Sequence, residues 1–199
     1  MLHAQLARKL KLLEGLGYIA SGLTAKGHFA SRMYGFELQT TEMYFHRYHD
    51  KFDDDTLCAV AAAIPFEARK GVRYDKPHGG PLLSAARSVS HLVGEIRDRE
   101  EQLGVFSSTR LPDFQIALPA YHWSQGAEFE DLARFTDEDP GDLVRALRMA
   151  VQILRQMLFA VDPEAPERSR LRRCIARMNR GVVNAEEELE ASLTVPEQE

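Results

Sequence analysis

Cysteine is scarce in this chain. Only Cys58 and Cys174 occur in 199 residues, and they do not form a CxxC pair. That leaves no material for a disulfide framework or a cysteine-clustered zinc site. Both thiols sit in apolar helical patterns and are expected to be reduced and buried, as in a cytosolic-type protein. Long hydrophobic runs are missing too. The longest, Cys58–Phe66, is far too short to cross a bilayer. Lys9, Lys11 and Glu14 interrupt the apolar start, so no signal peptide is visible. No membrane association is expected, and the expected location is cytoplasmic. Excess positive charge is absent: the net charge of −5 excludes a chain that coats nucleic acid along its whole surface, and any such contact must be local. There is no GxxxxGK[ST] phosphate loop and no DExH or DExD box, and the glycines of Lys76–Pro81 match no nucleotide cradle. No catalytic residue, metal or cofactor is therefore expected within the chain itself.

Period-two alternation is almost absent, and helical periodicity takes its place. The spacing predicts a helix over Leu2–Leu13, ended by Gly15 and Gly17. A small hairpin follows through Tyr18-Ile19 and Leu23-Thr24, after which Thr24 caps a helix to about Met33. The next helix is expected from a cap at Thr40 or Thr41. Asp53–Asp55 lead into an alanine-rich helix, because carboxylates accept from free amides and oppose the positive end of the dipole. Further helices are expected over Leu82–Leu103, as two short pieces around Gly126, over Asp137–Met157, and from Pro166 to about Leu193. Residues 105–118 are expected to be irregular. The fold class is all-α, a bundle of about eight helices, with no internal repeat and no low-complexity linker.

Two arginine stripes stand out. On a wheel of 100° per residue, Val144, Leu147, Val151, Leu154 and Leu158 form an apolar ridge widened by Ala146, Ala150, Ile153 and Met157. Arg145, Arg148, Gln152 and Arg155 fill the remaining edge. Taken alone, such a row is a solvated strip. The sharper reading is a channel lining, since guanidinium groups bind phosphates in pairs of hydrogen bonds and stack on bases. The last helix has a second row, Arg170, Arg173, Arg177 and Arg180, opposite an apolar stripe of Leu171, Ile175, Met178, Val182, Ala185 and Leu189. This is a possible secondary basic face, or a solvated face balanced by the acidic Glu186–Glu190.

His46 and His49 lie one turn apart with Asp50 and Asp53–Asp55 nearby, a spacing that a metal can use. Tyr48 and Phe52 alternate with them and the aspartates have a capping task, so surface histidines are expected instead of a metal site. Trp123, between Tyr121 and Ser124 with His122, is expected as a core anchor rather than a stacking platform.

Five blocks, in order, resemble one family. Leu13–Phe45 resembles the "LxxLGYI…LTxKGxxA…ELxxTE" passage of superkiller-like DExH-box RNA helicases, including HelY-like members. Ala61–Gly71 resembles their alanine-rich helix with a Phe-Glu-x-Arg ending, and Tyr121–Leu132 their "W-x-x-G-x-x-F" turn. Asp139–Met157 resembles the "EGdlvRxxRrxxxlLrQ" helix, and Arg177–Ala185 the closing helix. Pro140 replaces the family's Glu before the glycine, and an acidic stretch replaces the "SLY" ending.

The resemblance implies a DSHCT domain, the C-terminal helical domain of such helicases. Residues 1–35 would end a winged-helix-like module, 36–193 would be the helical bundle, and 194–199 a frayed tail. It further implies that Arg145, Arg148 and Gln152, with Arg155 continuing the row, touch single-stranded RNA or DNA at the exit of a motor channel. ATP and Mg would belong to motor domains, supplied in cis or in trans. Those domains are not in this sequence, so the chain is expected to be a piece of such a helicase or a stand-alone relative. The competing expectation is a stand-alone helical module that binds only protein, through the Arg170/Arg173/Arg177/Arg180 face.

Overall fold

Three consecutive aspartates set the start of the helix around which the others assemble. In the computed structural model, which describes residues 2–106 and 109–185, Asp53 caps that helix by accepting from the Thr56 amide at 2.7 Å. The helix, Asp54–Ala63, is the fifth of nine α-helices among the described residues and is α5 below. Every residue from Thr56 to Ala63 is buried. Its alanines let neighbours come close, so it packs against four other helices and joins two apolar clusters.

The chain begins with α1 (Leu2–Gly15) and an antiparallel bridge between Ile19 and Leu23. It continues through α2 (Ala25–Ala30), α3 (Glu37–Phe45) and α4 (Tyr48–Lys51). After α5 come the long α6 (Gly80–Gln102), α7 (Ala117–Ser124), α8 (Pro140–Ala160) and α9 (Glu167–Met178). The smaller cluster joins Met43 of α3, Val60 of α5 with Ile64 at its end, and Ala85, Val89, Leu92 and Val93 of α6. The larger one gathers α5, α7, α8 and α9, with Phe29 and Met33 from the α2 region. The described residues contain no regular strand, only isolated bridges, and the fold is all-α as expected.

The first family-like block is held by a polar knot. Glu42 is buried and accepts from the Tyr18 hydroxyl at 2.8 Å, while Lys26 pairs with it at 2.7 Å. Lys26 also donates to the Leu16 carbonyl at 2.8 Å and lies over the Tyr18 ring. Burial, and then the Glu42 charge, push the Tyr18 hydroxyl well above the usual tyrosine range. Thr24 caps α2 as expected, accepting from Gly27 at 3.1 Å.

Two expectations about element ends are corrected. Thr40 and Thr41 do not cap α3: the helix starts at Glu37, and both threonines are fully buried inside it. The Thr40 hydroxyl bonds back to the Phe36 carbonyl, while Glu37 accepts from the Gly35 amide ahead of the helix. The last helix is not continuous from Pro166 either. It stops at Met178, because Trp123 Nε1 donates to the Met178 carbonyl at 2.8 Å and Gly181 turns the chain at φ +48°. A 3-10 turn, Gly181–Val183, follows, and its register puts Val183 rather than Val182 into the core. Leu189, the Glu186–Glu190 stretch and the tail lie outside the described residues. Trp123 is the core anchor that was expected: its ring is buried and Phe129 meets it edge-on.

Candidate nucleic-acid interface

Helix α8 is positioned by both its ends and its buried face. Asp139 caps it, accepting from Gly141 at 2.9 Å, and Pro140 fits the first turn, where its missing amide goes unused. Leu143, Ala146, Leu147, Ala150, Val151, Ile153, Leu154 and Met157 are buried against α5 and α9. Only one edge is left facing outward, and the predicted arginine row occupies it.

The four residues of that row differ in their surroundings. The Arg145 side chain is 78% exposed and pairs with Asp142 at 3.0 Å. Arg148 is half-buried and donates to the carbonyls of Val182 at 2.9 Å and Val183 at 3.1 Å, so it fastens the closing 3-10 turn onto α8. Gln152 and Arg155 are exposed and make no hydrogen bond or ion pair with any described residue. Arg148, Gln152 and Arg155 line a shallow hollow of about 110 Å³ with Val151, Asn179 and Asn184. Among the described residues, no carboxylate lines it. At the Arg145 end, a hollow of about 330 Å³ mixes Arg69, Arg110 and Arg145 with Glu67, Glu138 and Asp142. Arg69 pairs there with Asp142 at 2.5 Å.

One residue escaped the sequence reading. Phe159 continues the 3–4 spacing after Arg155 and is 70% exposed, with the Arg32 guanidinium 5.8 Å from its ring centre. The signal was present in the spacing, but an apolar residue on a mostly apolar helix reads as core.

The second basic row has a different task. Arg170 donates to Asp54 at 2.8 Å and to the carbonyls of His49 and Phe52. Arg173 reaches Asp54 at 3.1 Å, and Arg177 pairs with Asp55. Arg180 lies 3.6 Å from the centre of the Trp123 ring and donates to the Trp123 and Ala127 carbonyls. The row thus clamps α9 to the start of α5, with Arg170 and Arg180 half-buried while Arg173 and Arg177 stay exposed. Burial works against the charge of Asp54, yet Arg173 and Arg170, bonded to it, hold its carboxyl below the usual range.

The two histidines part company. His46 is exposed and faces Glu42 at 3.4 Å. His49 is not on the surface as expected: it is buried and stacks on Tyr44, and that burial lowers its pKa. Cys58 and Cys174 are both buried free thiols. Among the described residues, no helix is long and apolar enough to cross a membrane.

Residues 20–186 match the family described as "DSHCT (NUC185) domain". The chain is 26% identical over 191 residues to "DExH-box ATP-dependent RNA helicase DExH10" of Arabidopsis thaliana, covering 91% of this chain and 19% of that protein. It is 24% identical over 163 residues to "Exosome RNA helicase MTR4" of Homo sapiens, covering 78% of this chain and 16% of that protein. It is 22% identical over 162 residues to "ATP-dependent RNA helicase mtr4" of Schizosaccharomyces pombe, covering 78% and 14%. The chain thus spans less than a fifth of the length of these relatives.

Proposed function

The chain belongs to the DSHCT (NUC185) domain family, and on that premise we propose that it is the accessory domain of an ATP-dependent RNA helicase, holding single-stranded RNA along the outer edge of α8. One observation carries the reading. On a helix otherwise packed into the core, Gln152 and Arg155 face outward with no partner among the described residues. Long side chains left open beside a hollow without described carboxylates suit a polyanion. Arg145 extends the row, and Phe159 offers an aromatic face on which a base can stack. Arg148 contributes by holding the hollow's wall.

In this reading the domain hydrolyses no ATP; ATP and Mg bind motor domains in cis or in trans, and residues 1–35 are the end of a winged-helix module. RNA rather than DNA is the strand proposed, a reading supported by the relatives above, which are named as RNA helicases. A cytoplasmic location goes with it. The protein-only alternative rested on an exposed second arginine face, and those arginines already bond to this chain's own groups.

The test is titration of a fluorescent single-stranded RNA with the wild-type chain and with Arg145→Ala/Gln152→Ala/Arg155→Ala. These three are chosen because Arg148 also holds the fold. The expected result is binding at least about tenfold weaker in the variant, with unchanged circular dichroism. Equal affinity would overturn the reading.

A further inference from the structure

We propose that His49, Asp50 and Glu167 form a binding site for a divalent transition-metal ion, which ties α4 to the first turn of α9. The site is separate from the RNA-holding edge and does not depend on it. Each of the three residues offers one ligand atom, and these atoms lie within 4.8 Å of one another. His49 is 5% exposed; its Nδ1 has no hydrogen-bond partner, and its Nε2 meets only the Asp50 and Glu167 carboxylates, out of hydrogen-bond geometry, while Glu167 Oε2 is buried and unpartnered. A buried imidazole held this way costs free energy unless something else takes its lone pair.

The spacing fits an ion. His49 Nε2 lies 3.3 Å from Asp50 Oδ1 and 3.6 Å from Glu167 Oε1. Two ligands held about 2.0–2.1 Å from a tetrahedral zinc stand about 3.3–3.4 Å apart. One imidazole and two carboxylates match a dication in charge and in donor type. The Asp50 edge is exposed, which gives an ion a way in and leaves room for a water as fourth ligand.

The surrounding chain holds the ligands in place. Arg47, the one non-glycine residue with positive φ among the described residues, turns the chain at φ 57° into α4. Its guanidinium takes Asp50 Oδ2 and leaves Oδ1 towards His49. Tyr44 stacks on the imidazole with centroids 4.8 Å apart, and Arg170 of α9 donates to the His49 carbonyl. Spacing in sequence offers His46 as the partner of His49; the fold supplies Glu167 instead.

The experiment is calorimetric titration of the metal-stripped chain with Zn²⁺ alone. The expected result is one ion per chain, bound at least about tenfold more weakly by Glu167→Gln and by Asp50→Asn, and equally well by His46→Ala. Saturating zinc is expected to raise the Tm by about 5 °C in the wild type and not in Glu167→Gln. Absence of stoichiometric binding below about 100 µM free zinc, far above the affinity of a built N/O site, would overturn the proposal. So would binding that survives unchanged in both carboxamide variants.

Discussion

Gly27 carries a constraint that no other residue type meets. A Cβ at this position would sit well inside van der Waals contact of the Tyr18 carbonyl oxygen, which is backbone and cannot swing away. Gly27→Ala is therefore expected to destabilise the chain by about 1–3 kcal/mol through overpacking, measured by urea unfolding. A gain in stability would show that α2 can move away from the Tyr18 backbone. Trp123 is a second residue whose role is local. Trp123→Phe removes the donor to the Met178 carbonyl and narrows the surface under Arg180. The expected cost is about 1–3 kcal/mol, from the orphaned carbonyl and lost packing. An unchanged urea midpoint would mean that α9 is ended by Gly181 alone.

Among elements, the contact that matters most is the clamp between α9 and the N-terminus of α5. Arg170, Arg173 and Arg177 converge on Asp54 and Asp55, which also face the positive end of the α5 dipole. Asp54→Asn is expected to cost about 1–2 kcal/mol, since it removes the carboxylate shared by the half-buried Arg170 and the exposed, solvent-screened Arg173. Because the folded carboxyl titrates below its unfolded value, the Asp54 contribution is complete above about pH 4 and fades as pH falls through the folded pKa. The gap between wild type and variant should close in acid, and a gap that is constant with pH would contradict the assignment.

This same clamp shows how far the sequence was legible. Periodicity gave the helices, and Asp53 gave a cap, because both signals are local. The fate of the second arginine row was not local: it depended on Asp54 and Asp55, more than a hundred residues earlier. The end of α9 was hidden for the same reason. Its apolar stripe is continuous in sequence through Val182, but an indole and an arginine from other helices take the carbonyls there. In the α8 row, the spacing of Arg145, Arg148, Gln152 and Arg155 was visible, but only packing separates Arg148, bonded to the closing turn, from the open Gln152 and Arg155.

For the whole molecule, family membership and the helical architecture explain why most of the motif residues are internal. Tyr18, Lys26, Gly27, Glu42 and Trp123 build the fold, and α8 is where the family pattern also leaves polar side chains outward. A net charge of −5 makes the interaction with a strand local, so its electrostatic part must come from few residues. Phe159→Ala should weaken binding of single-stranded RNA by about 1–3 kcal/mol if a base stacks on it, without changing the salt dependence, since no charge is lost. A salt slope altered by Phe159→Ala would instead point to a rearranged α8.

The central claim, that the outward edge of α8 holds phosphate, is tested most directly by the salt dependence of RNA binding. Log affinity against log salt should be measured for the wild-type chain and for Arg145→Ala/Arg155→Ala. Two lost phosphate contacts predict a slope shallower by about 1.4 in the variant. Parallel lines for the two proteins would contradict the account.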